Sequence, residues 1–130
     1  MNRLLTVSAV FETATGFGLL AAPSLVVSLL LGEPLTGSAT PALARVCGGA
    51  LLALGAACWL ARKDVHSRAA LGVVGAMLIY NVLAGAVLLL HGLGPPPHGV
   101  GLWQAVIVHA ALLVWCFVSL RGARAVGDAA

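Results

Sequence analysis

Charge is what this sequence has least of. Asp, Glu, Lys and Arg make up 8% of its 130 residues, against roughly 25% in an ordinary soluble domain. Hydrophobic residues make up 61%. A soluble fold of this length could not hide so much apolar surface, so the solvent for most of the chain is a bilayer. The motifs of several common chemistries are missing as well: there is no Gly-rich phosphate loop, no nucleophile elbow and no metalloprotease helix. Cysteine is scarce, and Cys47, Cys58 and Cys116 form no CxxC. An odd number at this spacing suits neither a disulfide framework nor a zinc site, and the three read as small apolar fillers. Apolar positions do not alternate strictly, which argues against a β-barrel.

What is present is a set of four long apolar stretches, at 4–22, 41–61, 69–91 and 101–120. Each is near the ~20 residues that a helix needs to cross a hydrocarbon core. GEPLTGSAT (32–40), RKDVHSR (62–68) and GLGPPPHGV (92–100) separate them, rich in charge or in turn-forming Gly and Pro. The expected fold is all-α: one integral membrane domain over residues 1–130, a four-helix transmembrane bundle with up-down topology. After the first span, APSLVVSLLLG predicts a break at Ala22–Pro23, because proline favours a first helical turn and disfavours helix in the residue before it. Residues 23–31 then form a short apolar helix near the interface, with a kinked continuous helix of about 28 residues as the alternative. The opening MNRLLTVSAVF resembles a signal peptide in part, but Glu12 interrupts its apolar run and no clear A-x-A site follows, so it reads as a span.

Basic residues give the expected orientation. Arg3, Arg62, Lys63, Arg68, Arg121 and Arg124 fall at the N-terminus, the second connection and the C-terminal tail, and the first and third connections carry no Lys or Arg. This asymmetry predicts a multi-pass protein of the inner (cytoplasmic) membrane with both termini inside. The sequence pI near 9.1 reflects that topology. No nucleic-acid partner is expected, since the basic residues form no single stripe. Trp59, Trp103 and Trp115 lie toward span ends, where an indole straddles the interface.

Of 11 formally charged side chains, two fall inside spans: Glu12 in the first and Arg45 in the second. The third span adds Asn81, preceded by Tyr80, and the fourth adds His109. At ~1.5 Å per residue, Glu12 and Asn81 lie roughly 15 Å below the outer boundary and His109 about 12 Å below it. Arg45 starts only ~6 Å down, but its long side chain reaches inward as well as out. Glu12, Arg45, Asn81, His109 and Tyr80 therefore form the candidate polar cluster. Ser8, Glu12, Thr15 and Gly16 share one helix side, Arg45 one with Gly48, Gly49 and Leu52, and Asn81 one with Ala84 and Gly85. Small residues beside polar ones let membrane helices pack closely. A charge at mid-bilayer costs roughly 3 kcal/mol on insertion scales, so Arg45 is the natural counter-ion for Glu12. Without such a partner Glu12 protonates. On this pairing, Glu12→Gln is tolerated better than Arg45→Ala. The cluster is either a clasp fixing helix register or the lining of a small cavity that binds a polar head group or moves a proton.

A second set, His91, His98 and His109, lies toward the same outer side. Imidazoles suit copper, zinc or haem iron. A metal site is nevertheless not expected, because the connecting loop is long and His109 lies some turns deeper. His66, in the basic connection, reads as a solvated residue.

Gly16, Gly18, Leu20 and Pro23, followed by Arg45, Gly48, Leu51, Leu52 and Gly55, give a Gly-rich first helix with a Pro-containing turn and then R-x-x-G-x-x-L-L-x-x-G. In this the chain resembles the DoxX-like group of small four-helix bacterial membrane proteins. The resemblance covers the whole chain and implies a compact bundle, sometimes attached to quinone-linked redox systems.

The leading expectation is a binding or scaffolding subunit that packs laterally against other membrane subunits, or against itself, in a redox or energy-transducing assembly. An enzymatic role is the less favoured reading, and no cofactor is expected, with a quinone or other lipid head group left open as ligand. The alternatives are a homodimeric proton-linked transporter using Glu12 and a redox or haem/metal protein using His109.

Overall fold

The structure, a computed structural model, describes residues 1–65 and 67–127 and the side chains of 1–65 and 67–123. His66 and the Arg124 side chain lie outside the described residues. Five helices follow in order: α1 (Asn2–Ala21), α2 (Pro23–Leu31), α3 (Ala39–Ala61), α4 (Arg68–Gly92) and α5 (Leu102–Gly127). Four of them, α1, α3, α4 and α5, are long and apolar enough to cross a membrane. Their outward faces carry Leu43, Val46, Ile79, Leu83, Val87, Leu90, Ile107 and Val118, all exposed. Such a surface suits contact with lipid or with another apolar protein face.

The chain does break after the first span. Ala22 has φ −140° and ψ 63°, and it ends α1 while starting α2. Pro23 occupies the first turn of α2, where its missing N–H costs nothing. Gly32 closes α2 with φ 86°, a left-handed position that glycine adopts freely. At the other end of the molecule, Ser67 caps α4 by accepting a hydrogen bond from the Ala70 amide at 3.1 Å.

The bundle is two close pairs. α1 packs chiefly on α3 and α4 on α5, while α3 meets α4, and α1 meets α5, over much smaller contacts. Glycines set the first pair. A methyl added at Gly16 would stand 2.7 Å from the Gly48 carbonyl oxygen, and one added at Gly48 would stand 2.8 Å from that of Gly16. Further along, a Cβ at Gly55 would meet the Thr13 hydroxyl at 2.5 Å. Backbones this close gain dispersion contact that larger residues would forbid. Gly49, expected on the same side as Gly48, has nothing within 4 Å of such a Cβ.

The packed core occupies the half of the bundle nearest the chain termini. Leu4, Leu5, Ala9, Cys58, Val74, Met77, Leu112 and Cys116 meet there, drawn from all four long helices. Cys58 and Cys116 are buried apolar fillers, as expected, whereas Cys47 is exposed. Near the same end the Arg62 guanidinium stacks on the Trp59 ring, 3.2 Å from its centroid.

Candidate functional site

Toward the α2 end the two pairs no longer fill the space between them. A cavity of about 640 Å³ opens there, within the usual range for a site that holds a small molecule. Phe11, Thr15 and Leu19 line it from α1, Leu51 and Cys47 from α3, Tyr80 and Leu88 from α4, and Ala105 and His109 from α5. α2 closes it with Val26, Leu29 and Leu30. The walls are almost wholly apolar.

α2 is held in place by the connection between α4 and α5. The amides of Gly99 and Gly101 donate to the carbonyls of Leu30 and Leu29 at 3.2 and 2.8 Å. These acceptors belong to the last turn of a helix, where carbonyls lack intrahelical partners. A side chain at Gly99 would collide with the Leu29 backbone. His91 adds a third tie, its Nε2 donating to the Leu31 carbonyl at 3.2 Å, and His98 Nε2 donates to the His91 carbonyl at 3.2 Å. The two rings meet edge to face at 5.6 Å. His91 and His98 thus latch α2, and His109 lies apart from them. Among the described residues, no three His, Cys, Asp or Glu side chains gather as metal ligands.

Beneath the cavity lies a polar layer. Ser8, Glu12, Asn81 and His109 are all at least nine-tenths buried. Asn81 Nδ2 donates to the Met77 carbonyl at 2.7 Å. Only an NH₂ can do this, so Oδ1 faces α5, where His109 Nδ1 lies 2.9 Å away. That nitrogen must carry the proton. In a neutral ring, Nε2 is then left as an acceptor. The Tyr80 ring, on α4, stands edge-on to His109, with centroids 5.6 Å apart. Neither Glu12 oxygen, nor the Ser8 hydroxyl one turn away, has a partner at hydrogen-bonding geometry.

Four of the five residues expected in the cluster come together: Glu12, Tyr80, Asn81 and His109. Arg45 does not, and the expected Glu12–Arg45 ion pair is not formed. Arg45 is exposed and donates from Nε to the Leu20 carbonyl at 3.3 Å. The cause is register. The glycine contact between α1 and α3 sets Arg45 level with Leu20, eight residues from Glu12 and so about 12 Å along the helix axis. There it serves the C-terminal end of α1, whose last carbonyls are free and carry the negative end of the helix dipole.

Some site residues carried little sequence signal. The α2 wall of Val26, Leu29 and Leu30 looked like any apolar run. Thr15 is silent because its hydroxyl is spent on the Phe11 carbonyl, at 3.0 Å. Ser8 could have been included from its position four residues before Glu12. No family model matches the chain, no curated protein matches it, and no solved structure matches it.

Proposed function

We propose that this protein is a small membrane binding subunit that holds an amphiphilic molecule within the bilayer, its tail in the apolar cavity and its head on the polar layer. One observation carries this reading: a cavity of about 640 Å³ whose walls are apolar, and whose base holds Tyr80 and His109. Such a cavity, with few convergent polar groups, is the usual form of a small-molecule site. The basic residues at the chain-terminal end support an inner-membrane topology with both termini cytoplasmic. The cavity then opens in the outer half, and the extensive apolar faces suit lateral packing against other subunits. Gentle purification from the native membrane, followed by lipid extraction and mass spectrometry, tests this. A stoichiometric amphiphile and a co-purifying membrane protein are expected. A lone, ligand-free homodimer sinks the reading.

A second reading, a proton-linked carrier, draws support from Glu12 alone. A buried carboxyl with no fixed partner is free to exchange a proton. Glu12→Gln reconstituted into vesicles separates the two readings, since a carrier loses proton-coupled flux and a binding subunit keeps its ligand.

A further inference from the structure

The hydrogen-bond inventory at the cavity base restricts what can sit there. His109 has given its one proton to Asn81 Oδ1, at 2.9 Å, and presents Nε2 as a bare acceptor. Asn81 has spent its amide on the Met77 carbonyl. The Tyr80 hydroxyl oxygen, also on the lining, keeps lone pairs that can accept. Behind it, both Glu12 oxygens lie buried and unpartnered. Thr15, the other hydroxyl on the wall, has its proton engaged with Phe11. Among the described residues no Lys or Arg lines the cavity, and Arg45 is turned away to Leu20. The base therefore presents a fixed acceptor, His109 Nε2, with no cation beside it among the described residues.

From this we infer that the cavity selects a hydrophobic molecule with a hydrogen-bond-donating head, a hydroxyl or an amine, and discriminates against anionic and acceptor-only heads. The inference rests on the binding role proposed above and narrows it to a ligand class. A hydroxyl donates to His109 Nε2 or Tyr80 Oη while its chain lies between the apolar walls. A carboxylate or phosphate head finds no positive group among the described lining residues. An ester or ketone brings only acceptors to the bare His109 Nε2, which then stays unpaired in a medium without water.

Cys47 supplies the readout, because it lines the cavity and is exposed, whereas Cys58 and Cys116 are buried. Full-length protein in phosphatidylcholine nanodiscs is treated with N-ethylmaleimide, and Cys47 alkylation is followed by mass spectrometry. The probes share one dodecyl chain: 1-dodecanol, dodecylamine, methyl dodecanoate and dodecanoate. The alcohol and the amine should protect Cys47 at about fivefold lower concentration than the ester or the acid, as one net hydrogen bond implies. Tyr80→Phe and His109→Phe should each narrow the gap between dodecanol and the ester. If the second variant does not fold, the first decides. Equal protection by all four probes overturns the donor rule while leaving an amphiphile site. Stronger protection by the ester or the acid overturns it likewise. Protection by none removes both the rule and the binding role.

Discussion

Asn81 and His109 are joined across α4 and α5 by a hydrogen bond of 2.9 Å, and its direction is set elsewhere, by the Asn81 amide on the Met77 carbonyl. A residue one helical turn away on α4 thereby fixes the tautomer of a histidine on another helix. Asn81→Ala should leave the His109 Nδ1–H unpaired and cost about 1–3 kcal/mol, seen in reversible unfolding in mild micelles. The wild-type ring should show Nδ1 protonated and Nε2 bare in ¹⁵N spectra. A ring already protonated at Nε2 would refute the assignment.

The α1–α3 pair predicts a sharp contrast between neighbouring glycines. Gly48→Ala sets a methyl against the Gly16 carbonyl, whereas Gly49→Ala meets open space. The first should destabilise by about 1–3 kcal/mol. The second should be neutral or slightly favourable, since alanine is the better helix former. Matching melting temperatures for the two variants would contradict the pairing.

Glu12 and Arg45 now carry separate predictions. Arg45 is exposed and makes one neutral-acceptor bond, so Arg45→Ala should cost no more than about 1 kcal/mol. A buried ion pair would instead make that loss about 3–5 kcal/mol. Glu12→Met removes two buried unpartnered oxygens at similar volume, and should stabilise the ligand-free protein by about 1–3 kcal/mol. Thermal unfolding in micelles measures both. A marked loss of stability in Glu12→Met would reveal a partner for the carboxyl.

Gly99 ties α2 down by its own amide, in a spot too tight for a side chain. Gly99→Ala should therefore loosen α2 without unfolding the four long helices. Hydrogen exchange at 26–32 should rise, and Cys47 should alkylate faster in the absence of any ligand. Unchanged exchange in that segment would mean that other contacts hold it.

The architecture was legible because it follows from solvation: a chain with so few charges and four long apolar runs has few other ways to satisfy its backbone. The break after α1 was legible too, since Pro23 acts locally through its own ring. The depths of Glu12, Asn81 and His109 could be counted along the chain, and these three do share a layer. Arg45 failed because depth from the sequence assumes where a helix begins and ignores how neighbours slide. That slide is set by which glycine meets which, and Gly48 and Gly49 are indistinguishable as letters. The cavity was the least legible of all, because it arises where two pairs diverge, and no residue type encodes a divergence.

The division into two close pairs has a mechanical consequence. α1 with α3 is stiff, because its backbones are already in contact and cannot come nearer. α4 and α5 are joined along most of their length. The compliant direction is the spacing between the pairs, and that spacing sets the width of the cavity while the packed end acts as its pivot. Guests of different girth would thus be met by one angular movement, like the jaws of a clothes peg, without any repacking of the core.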